Sequence, residues 1–319
     1  MTTTSKEPVI VVLQLSGGND YFNTIIPFND DNYYDNRPSL KISQDDMLPL
    51  DAEFAMNPSM KALQNIYKEG DMAIIHGVGY ANSPRSHFRS MDIWHTAEPD
   101  KVGTEGWLGR VIRDIDPTSE NPVTAVNIGQ GLPRALVAPG VSVASVADLS
   151  TYGLLTSVEQ KSQIEKMLTR FSNMYGAALG SGPVMEYLGQ TGIDAMNGAD
   201  ILKVAPQVYQ SNVEYSSSSV SNSLKDIATI HKADLGTRVF YTQYGSFDTH
   251  AAQAPAHAQL WQDVSDGIQD FWDDLRETGH DENVVMFLFS EFGRRVRDNG
   301  SGTDHGAAGV SFVIGPRVK

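Results

Sequence analysis

The sequence predicts an α/β protein with a parallel sheet and helices on both of its faces. Short apolar segments rich in β-branched residues recur along the chain, and buried parallel strands have this composition. Amphipathic helical segments separate several of them, as in sheets built from strand–helix–strand units. The chain has 319 residues, which is enough for one large α/β domain.

The first third of the chain contributes two predicted strands and two helices. Residues 9–15 are almost continuously apolar and predict a buried strand, with a tight turn over 16–20 directly after it. An Asn-Pro start and a glycine stop predict a helix over 57–70. Residues 72–78 predict the second strand, and 83–95 indicate a loop that passes into a helix.

The middle of the chain predicts helices more clearly than strands. Between 103 and 149, glycines and prolines interrupt short apolar segments without a clear period. Residues 157–175 predict an amphipathic helix, glycines weaken the helical pattern over 176–200, and the serine-rich stretch 216–223 indicates an exposed loop. We therefore expect a helical insertion over about 151–235 beside the sheet.

The last third returns to alternation between strands and helices. Residues 238–244 predict a strand, and 256–275 follow a 3.6-residue period that predicts a helix with two buried tryptophans. Residues 284–289 and 310–314 predict two further strands. The chain ends at Lys319, directly after the last one. We expect a single domain over 1–319 that is incomplete at its C-terminus.

Composition excludes several classes of function. The formal net charge of −15 disfavours binding to nucleic acid and to anionic membranes. The absence of cysteine excludes disulfides, thiol catalysis and cysteine-ligated metals. No apolar run reaches the roughly 18 residues of a transmembrane helix. The sequence leaves the oligomeric state open.

Polar residues follow four of the predicted strands. Sites in open α/β sheets form at the carboxyl ends of the strands, so parallel strands would bring these residues together. The candidates, in chain order, are Asp20, Ser86, His87, Asp248, His250, His257, Glu291, Asp304 and His305.

Carboxylates, imidazoles and one hydroxyl are the groups that metal-assisted hydrolysis of a phosphate or sulfate ester requires. Asp, Glu and His without Cys suit Zn²⁺, Mn²⁺, Mg²⁺ or Ca²⁺. A serine at a helix start lies where an adjacent cation activates it and the helix end stabilises an anion. Structural alternatives stay open: Ser86 as a helix cap, Glu291 as the partner of Arg294 or Arg295, and His257 as a solvated side chain.

Seven short motifs run in order from residue 15 to residue 306. They are Leu15-Ser16-Gly17-Gly18-Asn19-Asp20, Arg37-Pro38, Ser86-His87-Phe88, Gly106-Trp107-Leu108-Gly109-Arg110, Phe247-Asp248-Thr249-His250, Ser290-Glu291-Phe292-Gly293-Arg294 and Thr303-Asp304-His305-Gly306. With these motifs the chain resembles the domain-of-unknown-function 1501 family, which is placed in the alkaline phosphatase/sulfatase-like superfamily.

The resemblance implies a three-layer α/β/α sandwich of the alkaline phosphatase/sulfatase type. It implies one or two divalent metals, for which the candidate ligands are Asp20, Asp248, His250, Asp304 and His305. The candidate catalytic residues are Ser86 as the nucleophile, His87 to orient or protonate, and Glu291 as a ligand or general base. The expected substrate is an anionic ester, such as a sulfated or phosphorylated carbohydrate.

One departure from the superfamily pattern supports a second hypothesis. Glu291 and Phe292 stand where the superfamily usually has an Asp-His pair, so one imidazole ligand is missing there. The alternative is a non-catalytic metal- or carbohydrate-binding module. The resemblance also implies an exported protein, periplasmic or extracellular, although residues 1–8 show no signal peptide.

Overall fold

A seven-stranded sheet lies at the centre of the computed structural model, which describes residues 6–152 and 183–318 and a few isolated positions between them. Numbered in chain order, its strands lie across the sheet as β5 (Met72–Val78), β10 (Gly309–Ile314), β9 (Val284–Phe289), β1 (Val9–Leu15), β8 (Val239–Tyr244), β6 (Ala125–Ile128) and β7 (Ala144–Val146). Only β10 runs antiparallel to its neighbours. The predicted, mostly parallel sheet is confirmed.

A smaller sheet and nine helices complete the described part of the chain. The small sheet pairs β2 (Ile25–Ile26) and β3 (Leu48–Pro49) with β4 (Ala55–Met56). The helices are α1 (Tyr21–Thr24), α2 (Asp31–Asn36), α3 (Lys61–Glu69), α4 (His87–Thr96), α5 (Trp107–Ile115), α6 (Pro183–Leu202), α7 (Ala205–Val208), α8 (Ser219–Lys232) and α9 (Gln253–Glu277).

Helices cover both faces of the central sheet, so the protein is the expected three-layer sandwich. Strand β1 shows why: its side chains alternate, and both sets are buried. Leu13 packs in the cluster that contains Trp261 of α9, whereas Val12 packs in the cluster that contains Leu108 of α5. Trp261 and Trp272 are both buried, as the period of this helix predicts.

The structure corrects the interpretation of the serine-rich stretch. Residues 216–223 are not an exposed loop, because α8 begins at Ser219 and Ser221 is fully buried. The side chain of Ser218 accepts a hydrogen bond from the backbone N–H of Ser221, which is the ordinary role of a serine N-cap. Helix α8 then packs on α9 and on the sheet.

Glycines do not interrupt the helix that follows residue 183. Helix α6 is continuous over Pro183–Leu202, so the glycines in this segment do not break the helix as the sequence indicated. The helix predicted over 157–175 lies outside the described residues, apart from isolated positions. Among the helices that are described, none is both long enough and apolar enough to cross a bilayer.

One edge of the sheet collects the loops that carry the candidate residues. Strands β1, β5, β8 and β9 all end there, because they run in the same direction. Strand β10 runs the opposite way, so the segment before it, residues 293–308, reaches the same edge. The expected convergence of the loops is confirmed.

Candidate metal centre

Three imidazoles and one carboxylate converge at this edge. The Nε2 atom of His305 lies 3.0 Å from Nε2 of His87 and 3.0 Å from Nε2 of His250. The Oδ1 atom of Asp248 lies 3.1 Å from Nε2 of both His250 and His305, and its Oδ2 lies 3.5 Å from Nε2 of His87. Three chain segments therefore point four ligand groups at one small region.

The other nitrogen of two rings, those of His87 and His305, faces a hydrogen-bond acceptor, and that of His250 faces a more distant carboxylate. Nδ1 of His87 lies 2.7 Å from Oε1 of Glu291, and Nδ1 of His305 lies 2.9 Å from the carbonyl oxygen of Arg85. Nδ1 of His250 lies 3.4 Å from Oδ1 of Asp304. An acceptor at Nδ1 places the ring proton there and leaves Nε2 with a lone pair. Metal-binding histidines are oriented in this way.

The cluster, defined as His87, Asp248, His250 and His305, fits a divalent cation. Lone pairs on two Nε2 atoms only 3.0 Å apart repel each other, and a cation between them removes the repulsion. A shared proton relieves one such contact, whereas a cation would relieve several, since ligand atoms of His87, Asp248 and His305 all lie within 4.8 Å of one another and His250 borders this group through His305 and Asp248. The side chains of Asp248 and His250 are both 44% exposed, so the cluster is open to solvent.

Arg294 holds Asp248 in the cluster. Its buried guanidinium donates to Oδ1 of Asp248 at 2.5 Å and also to the carbonyl oxygens of Gly17 and Phe247. Burial raises the pKa of the Asp248 carboxyl, but the hydrogen bond and the positive charge of Arg294 outweigh this and hold the pKa below its usual value. From the sequence we expected Arg294 only as a partner for Glu291, and its contact with Asp248 was not predicted.

Glu291 orients His87. Its buried carboxylate accepts hydrogen bonds from the backbone N–H of Gly17, at 2.9 and 3.1 Å, and faces the His87 ring. Gly17 has φ +124°, and a Cβ there would lie 2.3 Å from the backbone nitrogen of Asp248, so only glycine fits. The glycine turn after β1 therefore brings Glu291 and Asp248 to the same place.

We expect Glu291→Gln to weaken divalent-metal affinity by about 10–100-fold, the usual cost of losing a carboxylate behind a histidine ligand. The amide is less basic and its NH₂ group cannot accept the Nδ1 proton of His87. A competition titration against a metal-binding dye measures the effect. Asp304→Asn is the matched comparison and should cost less, because its contact with His250 is longer, at 3.4 Å, and half exposed. Equal affinities in Glu291→Gln and the wild type would contradict this role.

The structure does not bring Asp20 to the cluster. Asp20 and Arg37 are both fully buried, and the two carboxylate oxygens of Asp20 bind the guanidinium at 2.5 and 2.7 Å. Burial raises the pKa of the Asp20 carboxyl, but the Arg37 charge prevails and the pKa lies below its usual value. Arg37 also donates to the carbonyl oxygens of Arg295 and Val296. Asp20 thus anchors the segment that leads to His305.

His257 is buried, so the interpretation as a solvated side chain is wrong. It lies on the face of α9 that packs on the sheet, and its Nε2 lies 3.0 Å from Oδ1 of Asn19. Burial lowers the pKa of His257 to about 4, which leaves the ring neutral at pH 7. No hydrogen bond of His257 reaches the described residues of the cluster.

Ser86 occupies the N-cap position of α4, directly before His87. Its side chain makes no capping hydrogen bond, so the alternative of a structural cap is not what the geometry shows. The preceding residue, Arg85, has φ +55°, a strained value for a residue with a side chain. In this conformation the Arg85 carbonyl oxygen lies 2.9 Å from Nδ1 of His305. Ser86 is the next residue along the chain and directly precedes the cluster residue His87.

A cavity of about 380 Å³ lies beside His87, between α4 and the end of β1. It is lined by Gln14, Ser16, His87, Phe88, Met91, Asp92, His95, Arg134 and Glu291. A larger cavity, of about 810 Å³, opens at the opposite edge, where the strands begin, and none of the candidate residues lines it. Because sites in open α/β sheets lie at carboxyl ends, the smaller cavity is the one connected with the cluster.

A family model described as "Protein of unknown function (DUF1501)" matches residues 7–319. No curated protein matches the chain by sequence. Many solved structures are similar in fold, and three of them illustrate the range.

The C-terminal periplasmic domain of EcEptC from Escherichia coli, in complex with Zn, has a TM-score of 0.45 and 9% identity, covering 98% of this chain and 74% of that one. A protein in the alkaline phosphatase superfamily from Vibrio parahaemolyticus has a TM-score of 0.42 and 7% identity, covering 98% and 61%. The lipoteichoic acid synthase LtaP from Listeria monocytogenes has a TM-score of 0.39 and 7% identity, covering 97% and 65%. Similarity of this degree carries no information on substrate or mechanism.

Proposed function

The chain belongs to the DUF1501 family of proteins of unknown function, and we propose that it is a metal-dependent hydrolase of phosphate or sulfate esters. One observation carries the proposal: three imidazole Nε2 atoms and the Asp248 carboxylate converge where α4 begins, and the residue at that helix start is Ser86. A cation site beside a hydroxyl at a helix N-terminus suits a tetrahedral anion.

The ligands of the proposed site are His87, Asp248, His250 and His305. Three imidazoles and one carboxylate favour Zn²⁺ or Mn²⁺ over Mg²⁺ and Ca²⁺, which prefer oxygen ligands. When bound, the cation would supply Lewis-acid stabilisation of the anionic ester oxygens. We propose one cation rather than two, because the carboxylates of Asp20 and Glu291 are bound to other groups of the protein.

Three expected roles change with this assignment. We expected His87 to orient or protonate the reacting group, but its Nε2 joins the cluster and we assign it as a ligand. We expected Glu291 as a ligand or general base, but its bonds to Gly17 and His87 make it a positioning residue. Asp304 likewise orients His250 instead of binding the metal.

Ser86 is the proposed nucleophile. In the reaction the Ser86 hydroxyl would lose its proton to solvent as Oγ forms a bond to phosphorus or sulfur and the bond to the ester oxygen breaks. The departing oxygen would take a proton from solvent. The backbone N–H groups of the first turn of α4 are not used within the helix, and together with the helix dipole they favour an anion. Water would then release the phosphate or sulfate from Ser86.

We expect Ser86→Ala to reduce hydrolysis of 4-nitrophenyl phosphate or 4-nitrophenyl sulfate by about 10³-fold or more, as loss of a nucleophile does elsewhere. Metal content, measured by elemental mass spectrometry, should stay at the wild-type level. Ser83→Ala is the matched control, because Ser83 lies in the same loop and its Oγ has no hydrogen-bond partner. Full activity in Ser86→Ala would remove this residue from the mechanism.

The alternative function is a metal-binding module without catalysis. It is favoured by Glu291, since the expected general base is buried and engaged with Gly17 and His87. A wild-type protein that binds metal tightly but hydrolyses neither ester would support this alternative.

A further inference from the structure

Phe88 is a large apolar side chain that is left in water next to a proposed metal ligand. It follows His87 in the first turn of α4, and 91% of its surface is exposed. Removing a phenylalanine ring from water is favourable, so a ligand that covers this ring is stabilised by the contact. A single exposed apolar residue is ordinary on a protein surface. Phe88, however, also lines the cavity beside the cluster.

One face of α4 forms a wall of this cavity. The residues at positions 87, 88, 91, 92 and 95 share that face, because each of them is three or four positions, about one helical turn, from another member of the set. Phe88 and Met91 make the apolar part of the wall. A ligand in the cavity therefore meets an aromatic ring on one side and the proposed metal ligand His87 next to it.

The floor of the cavity is polar, and its Ser16 hydroxyl has a proton left to donate. The Oγ of Ser16 accepts a hydrogen bond from Nε2 of Gln14 at 2.6 Å, which leaves the Ser16 hydroxyl proton to donate. Nε2 of His95 lies 2.9 Å from Oε1 of Gln14, and burial lowers the pKa of His95 to about 4, so the ring is neutral. The Ser16 hydroxyl can therefore donate to a hydroxyl group of a ligand, above a neutral polar floor made by Gln14 and His95.

The charges in the cavity wall are already paired. Asp92 accepts hydrogen bonds from Arg89, at 2.6 Å, and from Arg134. Arg134 also donates to the carbonyl oxygen of Gly103, and Glu291 is bound to His87. Among the described residues of the wall, no cationic side chain is therefore left unpaired to bind a second anionic group. The part of a ligand that enters here is neutral.

We propose that this cavity is the subsite for the alcohol part of the ester, and that it takes a neutral, hydroxylated ring of monosaccharide size stacked on Phe88. A volume of about 380 Å³ lies near the lower end of the about 300–1,000 Å³ of small-molecule sites, which suits one ring. The inference rests on the proposed function, because it places the anionic group on the cluster and the sugar ring beside it.

The test measures binding of free glucose, galactose and N-acetylglucosamine by saturation-transfer NMR, on the Ser86→Ala background. At least one of these sugars should bind, and Phe88→Ala should weaken its binding at least about fivefold. Phe88→Trp keeps an aromatic face and should retain the affinity. Val102→Ala is the matched control: Val102 is also an exposed apolar residue, at 72%, but it does not line the cavity.

The outcomes separate this inference from the proposed hydrolysis. If none of the three sugars binds, or if Phe88→Ala binds as well as Val102→Ala, the subsite is overturned even when 4-nitrophenyl esters are hydrolysed. If binding depends on Phe88 while the wild type hydrolyses no ester, the sugar-binding site on Phe88 stands, and the proposed hydrolase is overturned together with the alcohol-subsite role.

Discussion

The His87→Ala/His305→Ala double variant is expected to purify without the divalent cation that we propose for the wild-type protein. The two substitutions remove two of the four proposed ligands. One of them is the His305 Nε2, which lies 3.0 Å from His87, 3.0 Å from His250 and 3.1 Å from Asp248. Loss of affinity should exceed the about 10–100-fold that loss of a supporting residue costs. Elemental mass spectrometry on protein purified without chelator measures the bound metal.

The control for this experiment removes two imidazoles elsewhere. His76 lies on the exposed edge strand β5, and His280 lies at the opposite edge of the sheet from the cluster. The His76→Ala/His280→Ala variant should keep the metal of the wild type. Thermal unfolding of both variants shows that each is folded. Equal metal content in the two double variants would place the metal outside the cluster and would overturn the proposed site.

The second large effect is expected at Asp20. Replacement by alanine leaves the fully buried Arg37 guanidinium without its carboxylate, and breaking a buried ion pair in this way costs about 3–5 kcal/mol of the free energy of unfolding. The segment around Arg295 and Val296, which Arg37 also holds, should loosen as well. Urea unfolding followed by circular dichroism measures the free energy.

An exposed ion pair provides the comparison. Asp200 and Lys203 form a contact of 2.7 Å one turn apart, and the Asp200 side chain is 69% exposed. Asp200→Ala should change the free energy of unfolding by no more than about 1 kcal/mol. If Asp20→Asn instead lost the metal and kept the wild-type stability, Asp20 would be a ligand, as the family resemblance implies, and not an anchor.

The direction of the Asp20 pKa shift adds a pH dependence. Because the folded pKa lies below the unfolded value, the ionised carboxylate favours the folded state. Its contribution is fully present above the unfolded pKa of about 3.9 and is lost as the pH falls below it toward the folded value. The difference in stability between the wild type and Asp20→Ala should therefore shrink on acidification.

Strands that are buried on both faces of the sheet were predictable from sequence, because such strands are almost continuously apolar. Val9–Leu15 and Val284–Phe289 are continuous apolar segments, and each lies at the centre of the sheet. Strands β6 and β7, with four and three residues, are too short to show a period, and the sequence analysis did not separate them from the loops. Helix α8 was partly missed because its serine N-cap looks like a loop in sequence.

The composition of the site was predictable for a related reason. Parallel strands end at one edge, so polar residues after strands predict a shared site, and His87, Asp248, His250 and His305 do meet there. The partners of those residues were not predictable. Arg294 reaches Asp248, and Arg37 takes Asp20 out of the expected ligand set, through contacts that no local pattern encodes.

By itself the sequence determined the layers of the fold and the residue types at the edge of the sheet, because both follow from local patterns of apolar and polar side chains. Tertiary structure decided which carboxylate is exposed at the cluster and which nitrogen of each histidine faces the cluster. These properties depend on contacts of about 3 Å between residues far apart in the chain, such as His87 and His305, whose positions differ by 218. Burial and pairing at that distance decide whether a carboxylate anchors a loop or remains available to a metal ion.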